Sequence, residues 1–124
     1  MHMYIGGEWV DKDDKISVIN PFNNSIVDTV PSATTDDVEL AIESAVSGAK
    51  DIANLSGYER YQILRKAADL LEERTEDLAR TITLEEGKVI SEGRLEVSRA
   101  IQTMTLSAEE SKRIHGEMIP LDGA

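Results

Sequence analysis

Two adjacent carboxylates, Glu85 and Glu86, stand in the stretch Thr83-Leu84-Glu85-Glu86-Gly87-Lys88. The stretch reads as the C-terminal end of a helix, where the backbone carries partial negative charge. An exposed acidic side chain at such an end costs roughly 0.3–1 kcal/mol. On a wheel of about 100° per residue centred on Leu78, Ala79 and Ile82, Glu85 falls about 65° from the apolar centre and Glu86 about 35° on the other flank. At least one carboxylate therefore edges toward the buried side, where it must be paired, hydrogen-bonded or neutralised. Its neighbours could be Lys88, Arg94 or Arg99, which would make an ordinary ion pair. The two groups could also stay solvated, or supply oxygen to a hard cation. The residues leave all three possibilities open.

Other stretches that superficially carry chemistry do not survive inspection. Gly6-Gly7 follows two strand residues and precedes another strand, so no helix N-terminus is present to receive a phosphate; it reads as a hairpin turn. Gly87-Lys88 is preceded by Ile82 where a phosphate-binding loop requires glycine, and followed by Val89 where it requires Ser or Thr. His115 reads as a cationic residue at a helix end, and only His2 could join it as a metal ligand. The chain has no cysteine, which removes disulfides, thiolate metal sites and a thiol nucleophile. No Ser-His-carboxylate pattern is present. Residue by residue, these 124 amino acids show no catalytic site and no cofactor-binding site.

The elements that must position the carboxylates fall into two groups. Residues 4–30 are strand-like: Tyr4-Ile5, Glu8-Trp9-Val10, Ile16–Ile19 and Ile26–Val30, separated by Gly6-Gly7, the acidic turn Asp11–Asp14, and Asn20-Pro21 with Phe22–Ser25. They read as a small antiparallel meander, too short to be stable without packing on something else. Residues 34–116 are helical. Thr34 with Asp37, and Ser56 with Glu59, have the capping-box spacing. Val38, Ala41, Ile42, Ala45, Ala49 and Ile52 form one stripe, and Tyr61, Leu64, Ala67, Ala68 and Leu71 a second. Thr75 is expected to cap a third helix ending at Gly87 in the left-handed conformation. A fourth helix is expected from about Ile90 to Ile114, closed by His115-Gly116, with Val97, Ile101, Met104 and Ala108 on its apolar side. Gly93 inside it costs about 1 kcal/mol relative to alanine unless close packing requires it.

Composition sets limits. There are 24 acidic and 13 basic residues, a net charge of −11, which argues against a nucleic-acid partner or an anionic membrane surface. No apolar run approaches the roughly 20 residues of a membrane span, and no apolar signal core follows Met1-His2-Met3; residues 1–3 read as a tag or a start. The setting expected by default is cytoplasmic.

Laid out in order, these segments resemble the N-terminal part of the aldehyde dehydrogenase superfamily. The resemblance rests on six pieces: Tyr4-Ile5-Gly6-Gly7-Glu8-Trp9-Val10, Val18-Ile19-Asn20-Pro21, the alanine-spaced helix after Asp37-Val38, Arg60–Leu71, Leu84-Glu85-Glu86-Gly87-Lys88, and Ile114-His115-Gly116-Glu117 with Ile119-Pro120-Leu121. It covers essentially the whole chain, and the opening and spacing are similar to lactaldehyde dehydrogenase-like members. The implied fold is α/β: short antiparallel strands followed by about four helices of a Rossmann-like cofactor domain, so that residues 1–124 would be the N-terminal part of the NAD(P)-binding domain, with the catalytic domain absent. The implied enzyme oxidises a small-molecule aldehyde to a carboxylic acid with NAD or NADP and is a homo-oligomer, a dimer or tetramer. In the family's mechanism a cysteine thiolate attacks the aldehyde, an asparagine and a backbone amide hold the oxyanion, hydride passes to the nicotinamide, and a glutamate activates water.

The residues that perform those steps in the family have no counterpart here, so the segment is expected to be inactive alone. Asn20 belongs to the strand-ending Ile-Asn-Pro and is not the family's catalytic asparagine. One family site does reach these residues. Some members bind K+ or Na+ through the carbonyl before Asn-Pro and the acid before Thr-Gly-Lys, positions that match Ile19 and Glu85. Here Glu stands where some cation-binding members have Asp, and Glu86 where the family usually has threonine. The rival expectation is a non-enzymatic, acidic helical interaction module.

Overall fold

The computed structural model describes residues 1–123. Four strands precede four helices among them: β1 (Met3–Ile5), β2 (Glu8–Val10), β3 (Lys15–Ile19), β4 (Ile26–Pro31), α1 (Thr35–Asn54), α2 (Gly57–Glu73), α3 (Thr75–Glu86) and α4 (Ile90–Ser111). The strands do not form the expected meander. β1 pairs only with β2 and β3 only with β4, giving two separate antiparallel hairpins. Met3 is part of the first hairpin, opposite Val10. Its turn is Gly6-Gly7, with φ of 61° and 91°, the left-handed geometry that glycine adopts without strain.

The reason β2 and β3 part lies in the loop between them. Lys12 turns its ammonium to within 2.7 Å of Asp37 Oδ1 at the start of α1. Asp14 meanwhile accepts a backbone bond from Ser32 N at 2.9 Å. The loop is thus drawn toward the helix and the strand after it, rather than folding β3 back onto β2.

Both capping boxes form. Asp37 N donates to Thr34 Oγ1 at 3.3 Å while Thr34 N donates to Asp37 Oδ2 at 2.8 Å, and Ser56 with Glu59 repeats the arrangement. Each box satisfies donors that a helix start leaves unpaired. Thr75, by contrast, does not cap α3. The N-cap position is Arg74, without a side-chain bond, and Thr75 Oγ1 donates backward to Glu72 O at 2.8 Å. The break between α2 and α3 is so short that Thr75 still reaches carbonyls of the preceding turn.

The core lies where α2 and α3 pack on α4. Ala68, Ala79, Val97 and Ala108 are its buried apolar residues, drawn from the expected stripes. Small side chains let the helices approach closely. A Cβ on Gly93 would stand 2.7 Å from Ala79 O, and one on Gly57 would stand 2.9 Å from Ser111 O. α4 ends at Ser111 rather than Ile114. Ser111 is buried, and its hydroxyl lies 2.7 Å from Ala108 O and 3.2 Å from Gly57 O. His115 therefore stands beyond the helix, exposed, with Nδ1 2.5 Å from Arg113 O.

α1 is different. Its principal neighbour is β1, and Val38, Ile42, Val46 and Ile52 remain half exposed or more. Its stripe has the helical period of a buried face without being covered by the described residues.

Candidate cation site

The corner after β3 is held by its own backbone. Asn20 N donates to Ser25 O and Asn24 N to Asn20 O, both at 2.8 Å. Asn20 Oδ1 accepts from Phe22 N at 2.9 Å. Asn20 is buried, and every bond it makes shapes the turn, in agreement with a structural role. Pro21 then lies against the end of α3: a Cβ on Gly87 would stand 2.9 Å from Pro21 Cγ. Gly87 has φ 74° and its N–H donates to Thr83 O at 3.0 Å, the left-handed C-terminal geometry expected of it. The strand end that carries Ile19 and the helix end that carries Glu85 are thereby neighbours through Pro21 and Gly87.

The two carboxylates are treated differently. Glu86 Oε2 lies 2.6 Å from Lys88 Nζ, which lies equally close to Glu96 Oε2 on α4. These bonds, with Glu86 the stronger influence, hold the Lys88 ammonium well above the ordinary lysine range. Glu85 is exposed and forms no ion pair among the described residues. The proposed arginine partners are not used for it: Arg94 grips Glu76 bidentately at 2.8 and 2.9 Å, linking α4 to α3.

No group of three or more His, Cys, Asp or Glu side chains capable of holding a metal occurs among the described residues.

Two features of the corner were not foreseen. Glu96 joins the Lys88 pair from eight residues away across a helix break, a spacing with no periodic signature. Thr83 Oγ1, one turn before Gly87, is buried without a hydrogen-bond partner, and nothing about a threonine in a helix announces that.

Residues 9–124 match the aldehyde dehydrogenase family, and the chain belongs to that family. It is 44% identical over 122 residues to 3-sulfolactaldehyde dehydrogenase of Priestia aryabhattai, covering 98% of this chain and 25% of that protein. It is 40% identical over 120 residues to lactaldehyde dehydrogenase of Methanococcus aeolicus, covering 97% and 26%. Among solved structures, aldehyde dehydrogenase 21 from Physcomitrella patens superimposes with a TM-score of 0.94 at 40% identity, over 99% of this chain and 26% of that one. The chain thus spans about a quarter of the length of the relatives it matches. The strands-then-helices architecture is that of the N-terminal part of aldehyde dehydrogenases. None of the described helices is long and apolar enough to cross a membrane.

Proposed function

We propose that this chain is the N-terminal part of the NAD(P)-binding domain of an aldehyde dehydrogenase that oxidises a small aldehyde to its acid, and that its own contribution is scaffolding. The observation that carries this is the collinear family match over residues 9–124. Use of NAD or NADP is supported by solved family members that are NAD-dependent or hold NAD+. A cytoplasmic homo-oligomer is part of the same proposal. The test is to express the full-length gene product and this 124-residue segment separately, and to follow reduction of NAD+ or NADP+ with a panel of short aldehydes. The full-length protein is expected to turn over and the segment to be silent. Turnover by the segment alone would refute the scaffolding role.

The resemblance points to one candidate ligand position among the described residues, the corner at Ile19 and Glu85. We propose that it holds K+ or Na+, the Ile19 carbonyl and the Glu85 carboxylate supplying two of its oxygens. What supports this is that Glu85 is left unpaired beside a backbone corner already held in place. Melting temperature should rise with K+ or Na+ at fixed ionic strength, and Glu85→Gln should remove that rise. A wild-type melting temperature indifferent to the identity of the monovalent cation would sink the site.

A further inference from the structure

The chain has four asparagines, Asn20, Asn23, Asn24 and Asn54, and asparagine is a chemically labile residue. Its amide carbon can be attacked by the peptide nitrogen of the residue that follows. The structure sorts the four by that requirement. Asn20 is buried and precedes Pro21, whose nitrogen has no hydrogen to give up. Asn54 closes α1 and precedes the bulky Leu55, whose N–H donates to Ile52 O at 3.2 Å. Asn23 is held from both sides. Its Oδ1 accepts from Ser25 N at 3.0 Å and from Ser25 Oγ at 2.7 Å, a turn of the kind asparagine side chains build. The Asn24 N–H that would attack it is bound to Asn20 O at 2.8 Å. Asn24 differs on each count. It is exposed, its side chain makes no hydrogen bond among the described residues, and the small Ser25 follows it. The Ser25 N–H is held only by the exposed Asn23 side chain, in a surface turn of the sort that opens at little cost.

We propose that Asn24 is the residue at which this segment deamidates, and that the bond from Ser25 N to Asn23 Oδ1 is the gate on the reaction. When that bond opens, Ser25 N attacks Asn24 Cγ and a C–N bond forms. The side-chain amide nitrogen leaves as ammonia, carrying the proton that Ser25 N gives up, and a cyclic imide remains. Water then opens the ring at either carbonyl. Opening at Cγ gives aspartate; opening at the main-chain carbonyl gives isoaspartate, whose backbone runs through the former side chain. In sum, water enters and ammonia leaves, with no oxidant or reductant. Either product adds a negative charge to a chain that already carries −11. Asn24 has φ 59°, a left-handed conformation that aspartate tolerates as asparagine does. Isoaspartate instead lengthens a corner closed by Asn20 N donating to Ser25 O at 2.8 Å. It is therefore the product that disturbs the turn holding Pro21 against Gly87.

The experiment uses the full-length polypeptide carrying this segment, kept folded at mildly alkaline pH in heavy-oxygen water and sampled over time by peptide mapping and mass spectrometry. Heavy oxygen should enter at Asn24 several-fold faster than at Asn23 or Asn54. Equal or faster entry at either of those would overturn the assignment. Unfolding wild type in urea removes the bonds of the corner and should bring the rates at Asn23 and Asn24 closer together. An unchanged ratio would mean that the following residue alone sets the order, and would overturn the part given to the fold. Asn23→Ala frees the Ser25 N–H and should speed conversion of Asn24 several-fold. Asn23→Asp, whose carboxylate can accept the same bond, should restore the slow rate. Speeding confined to Asn24 supports the gate. Speeding shared by Asn54 assigns the effect to loss of folding, and an Asn23→Ala rate equal to wild type leaves no gate; either result would overturn it.

Discussion

Alanine at Gly93 and alanine at Gly48 should have opposite effects on stability, although both glycines lie inside helices. In each case the substitution removes backbone freedom from the unfolded chain and favours the helix by about 1 kcal/mol. At Gly48 a new Cβ meets no heavy atom within 4 Å, so that gain should appear nearly whole. At Gly93 the Cβ would lie 2.7 Å from Ala79 O and 3.4 Å from both Ala79 C and Ala79 Cα. The oxygen is about 0.8 Å inside an ordinary contact of roughly 3.5 Å. All three obstructing atoms are backbone, so no side chain can swing away. Relief requires α3 and α4 to separate at Ala79, which is fully buried. Overpacking of this kind costs about 1–3 kcal/mol, and a backbone obstacle belongs at the upper end. Subtracting the helix gain leaves a net loss of about 2 kcal/mol for Gly93→Ala. Urea denaturation followed by far-ultraviolet circular dichroism would measure both variants against wild type. Gly93→Ala as stable as Gly48→Ala would refute the claim that close helix approach, rather than tolerance, keeps glycine at position 93.

Two further outcomes follow from the same structure. Asp37 is held near a pKa of about 2, below the ordinary 3.8, by the Lys12 ammonium and then by the Thr34 backbone and hydroxyl. Because the folded value is the lower one, its contribution to stability is present above pH 4 or so and fades as pH falls toward 2. Asp37→Asn should flatten that part of the urea-midpoint profile, and an unchanged profile would mean that the Lys12 contact carries no stability. Gly87→Ala must place a side chain at φ 74° with its Cβ 2.9 Å from Pro21 Cγ, and should cost at least about 1 kcal/mol in the same denaturation assay.

What the residues disclosed in advance was local. The two capping boxes, the Gly6-Gly7 turn and the Gly87 terminus each depend on partners within a few positions, and each forms as the spacing predicts. One misreading is local, since the Thr75 hydroxyl turns back to Glu72 O instead of capping α3; the others are non-local. The meander fails because Lys12 reaches Asp37, 25 positions along the chain by the residue numbers, and draws the loop off the sheet. α4 stops early because Ser111 meets Gly57, |i−j| = 54. Within the candidate site, the wheel put at least one carboxylate near the buried side, yet Glu85 and Glu86 are both exposed, and Glu86 is the one paired, with Lys88 two positions along. What the wheel could not foresee is Glu96 on α4, which shares the same Lys88 ammonium.

The uncovered stripe of α1 bears on why chemistry was so hard to find. Val38, Ile42, Val46 and Ile52 repeat with the period of a buried helix face, yet each is at least half exposed. Burying an aliphatic side chain is worth about 1.5–3 kcal/mol, so four such residues aligned on one face represent several kcal/mol of stabilisation that the described residues do not collect. Under the proposed assignment, the cover is the remainder of the cofactor domain, and the residues that do the chemistry lie on that remainder. An isolated acidic interaction module would instead need a separate partner to bury the same face. The two differ in a measurable way. If the full-length dehydrogenase covers α1, a hydrophobic dye should bind the segment strongly and the full-length protein weakly. If α1 is a docking face for another protein, the dye should bind both.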